Sequence, residues 1–526
     1  MLDWWHGLTA VKMVPIKAGL AIAAAVLLVA GAHLAYTKRE HVLRRTRDVL
    51  LATVGVASLC CYFNLFHFHF DDYLHQWDIY HYYVGAKYLP ELGYNRLYEC
   101  TVIAEKEIDD GHVEHGRLIT DLTTNDLERV DTIVADPARC TDHFTPERWR
   151  EFTADIAFFR SLFSPGRWLD EVLHDHGFNG TPVWALLGRP LASAAPASHE
   201  QLVWLAAIDP ILLAIMFAVF AWGFGWRAAC IAAVWFGTSY PTQWMWNGGA
   251  FLRQDWLVLA VVGVAMVKRG KPLIGGFALT YSALLRVFPG FIVAALVLRY
   301  AVLWVRERKI TLSRELKRFA IGCVAAGALL VPASLLFSGG ASTASEFVTN
   351  SRKHLDTPLT NNMGWKTVVA YDPDTRVRVA LDPSRLDNFG RWKDARRAVF
   401  EQRRWVFYLG LVAFLALLAW GTVRAPDWAV LVLGVGLIPV AAELTCYYYT
   451  FILILAALWP ERPLIGIAMC ITSAATGLIT RLAPWDDSRY YDMSCYVLLL
   501  VIASVVVYRV HNLRKKDRVA ISHRRS

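Results

Sequence analysis

The chain has 526 residues, of which 56% are hydrophobic and 13% aromatic, and its formal net charge is +9. This composition excludes a soluble globular protein, because polar residues could not cover so much apolar surface, and it predicts repeated membrane spans. Basic clusters lie between apolar runs, which is typical of cytoplasmic loops and argues against a nucleic-acid-binding groove. The clusters are KREHVLRRTR (38–47), KRGK (268–271), RERKITLSRELKR (306–318) and the C-terminal RKKDRVAISHRRS.

The apolar runs predict an all-α polytopic membrane protein with about 11–13 transmembrane helices. If the region 255–305 holds three spans, the count is thirteen and every basic cluster falls on one side of the membrane. That side is predicted to be cytoplasmic, with the N-terminus outside and the C-terminus inside. The predicted helices lie near 16–36, 48–66, 202–222, 227–245, 255–267, 272–286, 288–305, 319–337, 404–422, 427–444, 446–459, 463–481 and 492–509.

Two long polar segments interrupt the apolar runs. The first polar segment (67–200) and the second polar segment (338–403) are both predicted on the extracytoplasmic face. Patterns such as DHFTPERWREFTADIAFFRSLF predict short amphipathic helices at the membrane surface. The chain therefore divides into two N-terminal transmembrane helices (1–66), the first polar segment, central helices (201–337), the second polar segment, C-terminal helices (404–509) and a basic cytoplasmic tail (510–526).

Two of the nine cysteines, Cys100 and Cys140, lie in the first polar segment. In an oxidising compartment they could form a disulfide, whereas their spacing alone does not show that they are close. Most of the others lie in apolar runs and are interpreted as small apolar side chains. The pairing of Cys100 with Cys140 is one of two alternatives, the other being two free thiols.

The stretch HFDDYLHQWDIYHYYVGAKY (69–88) is unusually rich in carboxylates and imidazoles. Asp71, His75 and Asp78 have helical spacing, so their side chains would share a face. Such a group could bind a divalent cation or supply a general base, or it could form a polar collar at the membrane surface. The histidines are interpreted as interfacial residues, because no zinc-binding spacing is present. No metal ligand is assigned, and a divalent cation stays open as a cofactor.

The residues that follow, DIYHYYVGAKYLPELGYNRLYEC (78–100), resemble the first outer loop of the GT-C superfamily of membrane glycosyltransferases. The resemblance is closest to glycosyltransferase family 87, whose members use polyprenyl-phosphate-linked mannose or related donors. It covers most of 70–370 in the family's order, although RQD stands where the family has a GQ pair and Arg286 where a lysine is usual. The further motifs are NGTPVWALLGRPLA (179–192), WNGGAFLRQDWLVLA (246–260), KPLIGGFALTYSALLRVFPGFIV (271–293) and TNNMGWKTVVA (360–370).

This resemblance implies an inverting glycosyltransferase in which Asp78 is the general base. Arg286 and Arg253 would bind the phosphate of the donor, because a guanidinium can contact two phosphate oxygens at once. The implied partners are a polyprenyl-phosphate sugar, a lipid, glycan or protein acceptor, and membrane lipid. The implied location is a bacterial inner (cytoplasmic) membrane, with the active site facing the extracytoplasmic side.

Several ionisable residues in or beside apolar helices are candidate functional residues independently of the resemblance, because such residues usually face a cavity or a partner. Arg253 and Asp255 could instead pair with each other at a helix start, and Arg286 could reach the interface. Glu443 either lines a lipid tunnel or forms local hydrogen bonds. The candidate substrate-binding residues are Asp71, Asp72, Tyr82, Asn362 and Glu443.

The main alternative function is a polytopic transporter or flippase of a lipid-linked or small polar substrate. It predicts inverted repeats and interrupted helices in matching halves, and neither is evident in the sequence. A partner-binding membrane subunit and a transferase of the O-antigen ligase type are further alternatives. The nucleotide-binding fingerprints of ATP-driven pumps are absent from the sequence.

Overall fold

The computed structural model describes residues 10–68, 73–109 and 116–525, and these residues are mostly α-helical. Within this part, six helices are long and apolar enough to cross a membrane, judged by length and composition. This agrees with the prediction of an all-α multi-pass membrane protein; the number of crossings and the GT-C arrangement stay predictions. The six are Lys12–Tyr36, His199–Phe224, Arg314–Phe337, Gly390–Thr422, Pro463–Leu482 and Asp487–His511.

Two helices precede the first polar segment, and short elements build the segment itself. Its two short strands pair antiparallel, with Ile119 opposite Glu128. The elements are α1 (Ala10–Tyr36), α2 (Arg44–Tyr62), α3 (Gln76–Lys87), α4 (Leu89–Leu92), α5 (Leu97–Ile108), β1 (Leu118–Thr120), β2 (Leu127–Arg129), α6 (Val130–Val134), α7 (Ala138–Thr141), α8 (Pro146–Ser161), α9 (Pro165–Asp170) and α10 (Pro182–Ala192), with 3₁₀ turns at Asn64–Phe66 and Val172–His174.

The central region contains helices of varied length, and 255–305 does hold three of them. The elements are α11 (His199–Ala206), α12 (Ile208–Phe224), α13 (Trp226–Thr238), α14 (Trp244–Asn247), α15 (Asp255–Lys268), α16 (Pro272–Leu285), α17 (Gly290–Glu307) and α18 (Arg314–Phe337), with a 3₁₀ turn at Tyr240–Thr242.

The C-terminal part begins with the second polar segment and ends in a helix that continues into the basic tail. A thirteen-residue stretch, Cys446–Leu458, is a 3₁₀ helix, which is long for this tighter geometry. The remaining elements are α19 (Ala341–Asp356), β3 (Asn362–Met363), α20 (Trp365–Ala370), α21 (Val377–Ala380), α22 (Gly390–Thr422), α23 (Asp427–Gly434), α24 (Leu437–Ala441), β4 (Leu444–Thr445), α25 (Pro463–Leu482) and α26 (Asp487–Arg525), with a 3₁₀ turn at Pro373–Thr375.

Glycines allow the central helices to approach closely. α16 packs against α18, where a Cβ at Gly276 would lie 2.1 Å from the Phe319 carbonyl oxygen. A Cβ at Gly322 would lie 2.0 Å from the Leu273 carbonyl oxygen. Small residues at helix crossings are a usual means of association where lipid surrounds the helices and apolar burial gives little driving force.

The first polar segment has a buried core of its own, which fixes the position of α3. Lys87, near the end of α3, forms a buried ion pair of 2.7 Å with Asp155 of α8. The hydroxyl of Tyr88 donates to the same carboxylate at 2.8 Å. Paired charges of this kind hold their partners firmly because removing either would leave the other uncompensated. These bonds anchor the C-terminal end of α3 in the core of the first polar segment.

Cys100 and Cys140 form a disulfide that joins α5 to α7, with Cα atoms 5.4 Å apart. Both cysteines are fully buried in the core of the first polar segment. The bond closes a loop with a sequence separation of 40 residues. The structure therefore contains the pairing that the sequence left as one of two alternatives.

Replacing both cysteines, as Cys100→Ala with Cys140→Ala, is expected to destabilise the first polar segment by up to about 4 kcal/mol, because the loop would no longer be closed in the unfolded state. The measurement is thermal unfolding and limited proteolysis of the purified protein with and without a reductant. Cys323→Ala, at a free thiol, is the matched control. Equal protease resistance of the double variant and the control would contradict a stabilising role for the bond.

Candidate functional site

Asp78 lies in the first turn of α3, where His75 caps the helix. The Nδ1 atom of His75 accepts a hydrogen bond of 3.1 Å from the backbone N–H of Asp78. The backbone N–H of His75 donates to the carbonyl of Gly249 at 3.1 Å. A helix N-terminus favours a negative charge in its first turn. The sequence therefore places one carboxylate at the positive end of α3, against the loop that follows α14.

That loop carries Arg253 and is held by a carboxylate from α12. The backbone N–H of Arg253 donates to Oδ2 of Asp209 at 2.9 Å, and that of Gln254 donates to Oδ1 at 3.3 Å. Gly249 has φ of +77°, and a Cβ there would lie 2.1 Å from the Tyr73 carbonyl oxygen. Only glycine fits this backbone position. Asp209, through its carboxylate, and Gly249, through its lack of a Cβ, thus position Arg253.

Arg253 forms an ion pair with Asp78, with Nε 2.9 Å from Oδ2. The sequence offered Asp255 as the alternative partner of Arg253. Asp255 instead accepts a hydrogen bond of 2.8 Å from the backbone N–H of Trp256. Burial raises the pKa of Asp78, and the Arg253 guanidinium opposes that rise.

Arg286 reaches the same place from the end of α16. Its backbone is extended, with φ of −148° and ψ of 103°, so the helix stops there. The residue is only 6% exposed, which rules out the alternative that its side chain reaches the membrane interface. Its Nη1 donates to the hydroxyl of Tyr82 at 3.4 Å.

Tyr82, one turn after Asp78 on α3, lies between the two arginines. The guanidinium carbon of Arg253 is 4.0 Å from the Tyr82 ring centroid, and that of Arg286 is 5.5 Å away. Cations are attracted to an aromatic face in this arrangement. The Tyr82 hydroxyl donates a short hydrogen bond to Oδ1 of Asn179. Tyr82 therefore connects both arginines to the residues that precede α10.

Nitrogen atoms of both arginines are buried without an acceptor in the described part of the chain. They are Nη1 of Arg253 and Nε and Nη2 of Arg286. Buried donors in proteins are almost always hydrogen-bonded, so this arrangement calls for a ligand rich in acceptors. Phosphate oxygens match guanidinium donors in charge and geometry. The cluster of Asp78, Tyr82, Arg253 and Arg286 therefore offers an anion-binding position beside a carboxylate.

Several aromatic rings pack against Tyr82 or follow Arg286 in the chain. Tyr82 contacts Trp184 and Phe178, with ring centroids 5.1 and 5.6 Å apart. Phe288, two residues after Arg286, contacts Trp256 at 4.9 Å and Tyr448 at 5.1 Å. Flat apolar faces beside hydrogen-bonding groups are typical of sites that hold small polar ligands in a defined orientation.

The remaining candidate substrate-binding residues are placed differently. Glu443 pairs with Arg396 and lies 3.4 Å from Nζ of Lys366. The sequence left open whether Glu443 lines a lipid tunnel or bonds to neighbouring side chains, and the structure shows bonds to neighbouring side chains. Asn362 lies in β3, opposite Thr445 of β4. Asp71 and Asp72 lie outside the described residues.

Two histidines of the first polar segment, His75 and His81, use their ring nitrogens in hydrogen bonds within the fold. Nε2 of His81 lies 2.7 Å from the Tyr98 hydroxyl, and the residue is 2% exposed. The interpretation of His81 as an interfacial residue is therefore wrong, because α3 packs it into the core.

Elsewhere in the described part, Glu99, Asp121 and Glu128 bring carboxylate oxygens within 4.8 Å of one another, although Glu99 already pairs with Arg139 at 2.6 Å.

The lowered pKa of His75, which caps α3, leads us to expect that the protein loses stability in acid. Burial lowers the pKa of His75 to about 4, so the unfolded chain binds a proton more readily than the folded chain between that value and the usual 6.5. The free energy of unfolding should therefore fall as the pH drops from 7 towards 4, with about 1–2 kcal/mol lost at pH 5. His75→Asn keeps a neutral capping acceptor and should reduce this pH dependence, as measured by thermal unfolding across pH.

His199→Asn, at an exposed histidine, controls for the loss of a histidine as such. Parallel curves of unfolding temperature against pH for wild type and His75→Asn would show that His75 does not carry the effect.

Three residues of the site were not identified from the sequence. Asp209 and Tyr448 lie inside apolar runs, and Asn179 lies in NGTP, which indicates only a helix start. Asp209 could have been identified from the sequence, because a carboxylate in an apolar helix is costly and usually has a specific partner. No protein-family model, curated protein or solved structure matched the chain when compared with it. The resemblance to family 87 therefore depends on the motifs alone.

Proposed function

We propose that the chain is an integral membrane glycosyltransferase. It moves a sugar from a polyprenyl-phosphate-linked donor to a hydroxyl of a lipid, glycan or protein acceptor at the extracytoplasmic face. One observation carries this proposal: a largely buried carboxylate lies beside two buried arginines, each of which has at least one guanidinium nitrogen without an acceptor in the described part of the chain. A transfer from a lipid phosphate needs both a base and a phosphate-binding group.

In the proposed reaction, the acceptor oxygen attacks the anomeric carbon while its proton passes to Asp78. The bond between that carbon and the phosphate oxygen breaks, and its electron pair stays on the lipid phosphate. Arg253 and Arg286 stabilise the charge that develops there. Because attack and departure occur on opposite faces, the anomeric configuration inverts. No general acid is needed, since a phosphate is already a good leaving group.

The ion pair between Arg253 and Asp78 gives Arg253 two roles. In the structure its Nε is 2.9 Å from Asp78, while its Nη1 is buried without an acceptor in the described part of the chain. A donor phosphate at Nη1 would share the positive charge of Arg253 with Asp78. Weaker stabilisation of the ionised carboxylate makes it a stronger base. Donor binding and activation of Asp78 are thereby coupled.

The test is to incubate the purified protein in vesicles with labelled polyprenyl-phosphate hexoses and pentoses and a mixture of membrane acceptors. We expect label in a new product, with an equal amount of polyprenyl phosphate released and with inverted anomeric configuration. Protein-free vesicles are the control. Movement of an intact labelled donor or solute across the vesicle, with no transfer, would overturn the proposal in favour of a transporter or flippase.

A further inference from the structure

A second group of positive charges lies where α2 and α13 begin. The two helices run parallel, because Gly55 of α2 packs against Cys230 and Ser58 packs against Gly237 further along α13. Their N-termini therefore lie side by side. Between them is a groove with a volume of about 650 Å³, whose lining includes His41, Arg44, Arg45, Val49, Ala52 and Trp226.

The groove carries positive charge that the fold does not use. Arg44 and Arg45 are exposed, and neither forms an ion pair within the described part of the chain. The acidic residue of the groove, Asp48, is already neutralised by Arg227, with bonds of 2.7 and 2.6 Å. The first residues of α13 also lack a side-chain cap, so their backbone N–H groups add to the positive potential.

An apolar stripe leads away from the charged end of the groove. Arg45, Val49, Ala52 and Val56 have spacings that place them on one face of α2. Val49 and Val56 are 58% and 63% exposed, as expected for side chains that face lipid. Trp226, 45% exposed, lies at the junction, and tryptophan prefers the boundary between headgroups and acyl chains.

We propose that this groove binds an anionic phospholipid. Its phosphate would lie on Arg44 and Arg45 at the helix N-termini, and one acyl chain would follow Val49 and Val56. Charge joined to an apolar stripe fits an amphiphile, whereas a soluble anion would leave the stripe unused. Basic pockets between transmembrane helices on the cytoplasmic side are suited to acidic headgroups, and the cluster 38–47 lies on the side predicted to be cytoplasmic.

The test is native mass spectrometry of the detergent-purified full chain, titrated with phosphatidylglycerol or phosphatidylcholine of identical acyl chains. We expect wild type to bind one phosphatidylglycerol preferentially, and Arg44→Gln with Arg45→Gln to weaken that binding by about tenfold. Arg306→Gln with Arg308→Gln, at exposed arginines of another basic cluster, is the matched control and should bind as wild type does. Arg44→Lys with Arg45→Lys should retain the preference.

Two further measurements separate a bound lipid from a bound soluble anion. Val49→Asn with Val56→Asn keeps both charges and should still weaken phosphatidylglycerol binding, because the acyl contact is lost. Competition by millimolar inorganic phosphate should be weak, and effective displacement would overturn the proposal in favour of a free-phosphate site. Equal lipid binding by the glutamine pair and its matched control would also overturn it. Thermal unfolding confirms that each variant is folded.

Discussion

Asp78→Asn is expected to lower the rate of glycosyl transfer by about 10³-fold, because an amide cannot take the proton of the acceptor hydroxyl. Asparagine has nearly the same shape as aspartate, so α3 and its cap at His75 should persist. The measurement is the transfer rate in vesicles with a donor that wild type uses. Asp142→Asn, at an exposed aspartate of the same polar segment, should transfer as wild type does. Unimpaired transfer by Asp78→Asn would refute the mechanism.

The pH dependence of the same reaction gives a second readout. Burial raises the pKa of Asp78, with Arg253 acting in the opposite direction. The protonated carboxyl cannot act as a base, so transfer by wild type should fall as the pH drops through that pKa. The residual activity of Asp78→Asn should lack this decline. A shared acid limb in both proteins would assign it to a different group.

The helices of this chain were largely predictable, because long apolar runs in a membrane protein are nearly always helical. Every predicted run overlaps a helix, yet two features were not predictable. The run 427–444 contains two helices separated by Val435 and Gly436, and Cys446–Leu458 is a 3₁₀ helix. A uniformly apolar stretch has no polar face, so its composition does not report which helical geometry it adopts.

The candidate site was predictable only in part, because most of its contacts join distant parts of the chain. Asp78 was distinguished by the family resemblance, and Arg253 and Arg286 also as ionisable residues beside apolar helices. The structure brings these three residues together with Tyr82. Their pairing could not be derived from local spacing: Arg253 had a nearby alternative in Asp255, yet it contacts Asp78. Burial of Arg253 is tolerated because its ion pair with Asp78 forms together with the packing of the loop that carries it. Both depend on the tertiary fold rather than on local sequence.

The stretch 69–88 shows how residue type alone can mislead. Its histidines suggested a metal site or an interfacial belt. In the structure His75 caps α3 and His81 bonds to Tyr98 inside the core. Both roles use the imidazole as a hydrogen-bonding group, which no spacing rule distinguishes from metal ligation. The carboxylate of Asp78 was distinguished from its neighbours by the motif that follows it.

Arg286→Met should lower kcat/KM for the donor by about 10²-fold or more, because it removes a guanidinium placed for the leaving phosphate. Methionine keeps an unbranched apolar side chain and removes the charge. Arg286→Lys should retain more activity because it keeps the charge but not the paired donors. Inhibition by free polyprenyl phosphate should weaken in Arg286→Met, since the product presents the same phosphate. Unchanged donor kinetics and unchanged product inhibition would remove Arg286 from the site.

The stability of the same variant separates a functional arginine from a structural one. Nε and Nη2 of Arg286 are buried without acceptors in the described part of the chain, so the contacts of Arg286 with Tyr82 return only part of the folding free energy that burial of the charge costs. Arg286→Met should therefore leave the unfolding temperature unchanged or raise it. Arg489→Met is the contrasting control, because Arg489 donates to the carbonyls of Thr480 and Ala483 at 3.1 and 3.0 Å, and its loss should destabilise the protein without altering donor binding. Destabilisation by Arg286→Met to the same extent would indicate that Arg286 serves the fold rather than a phosphate ligand.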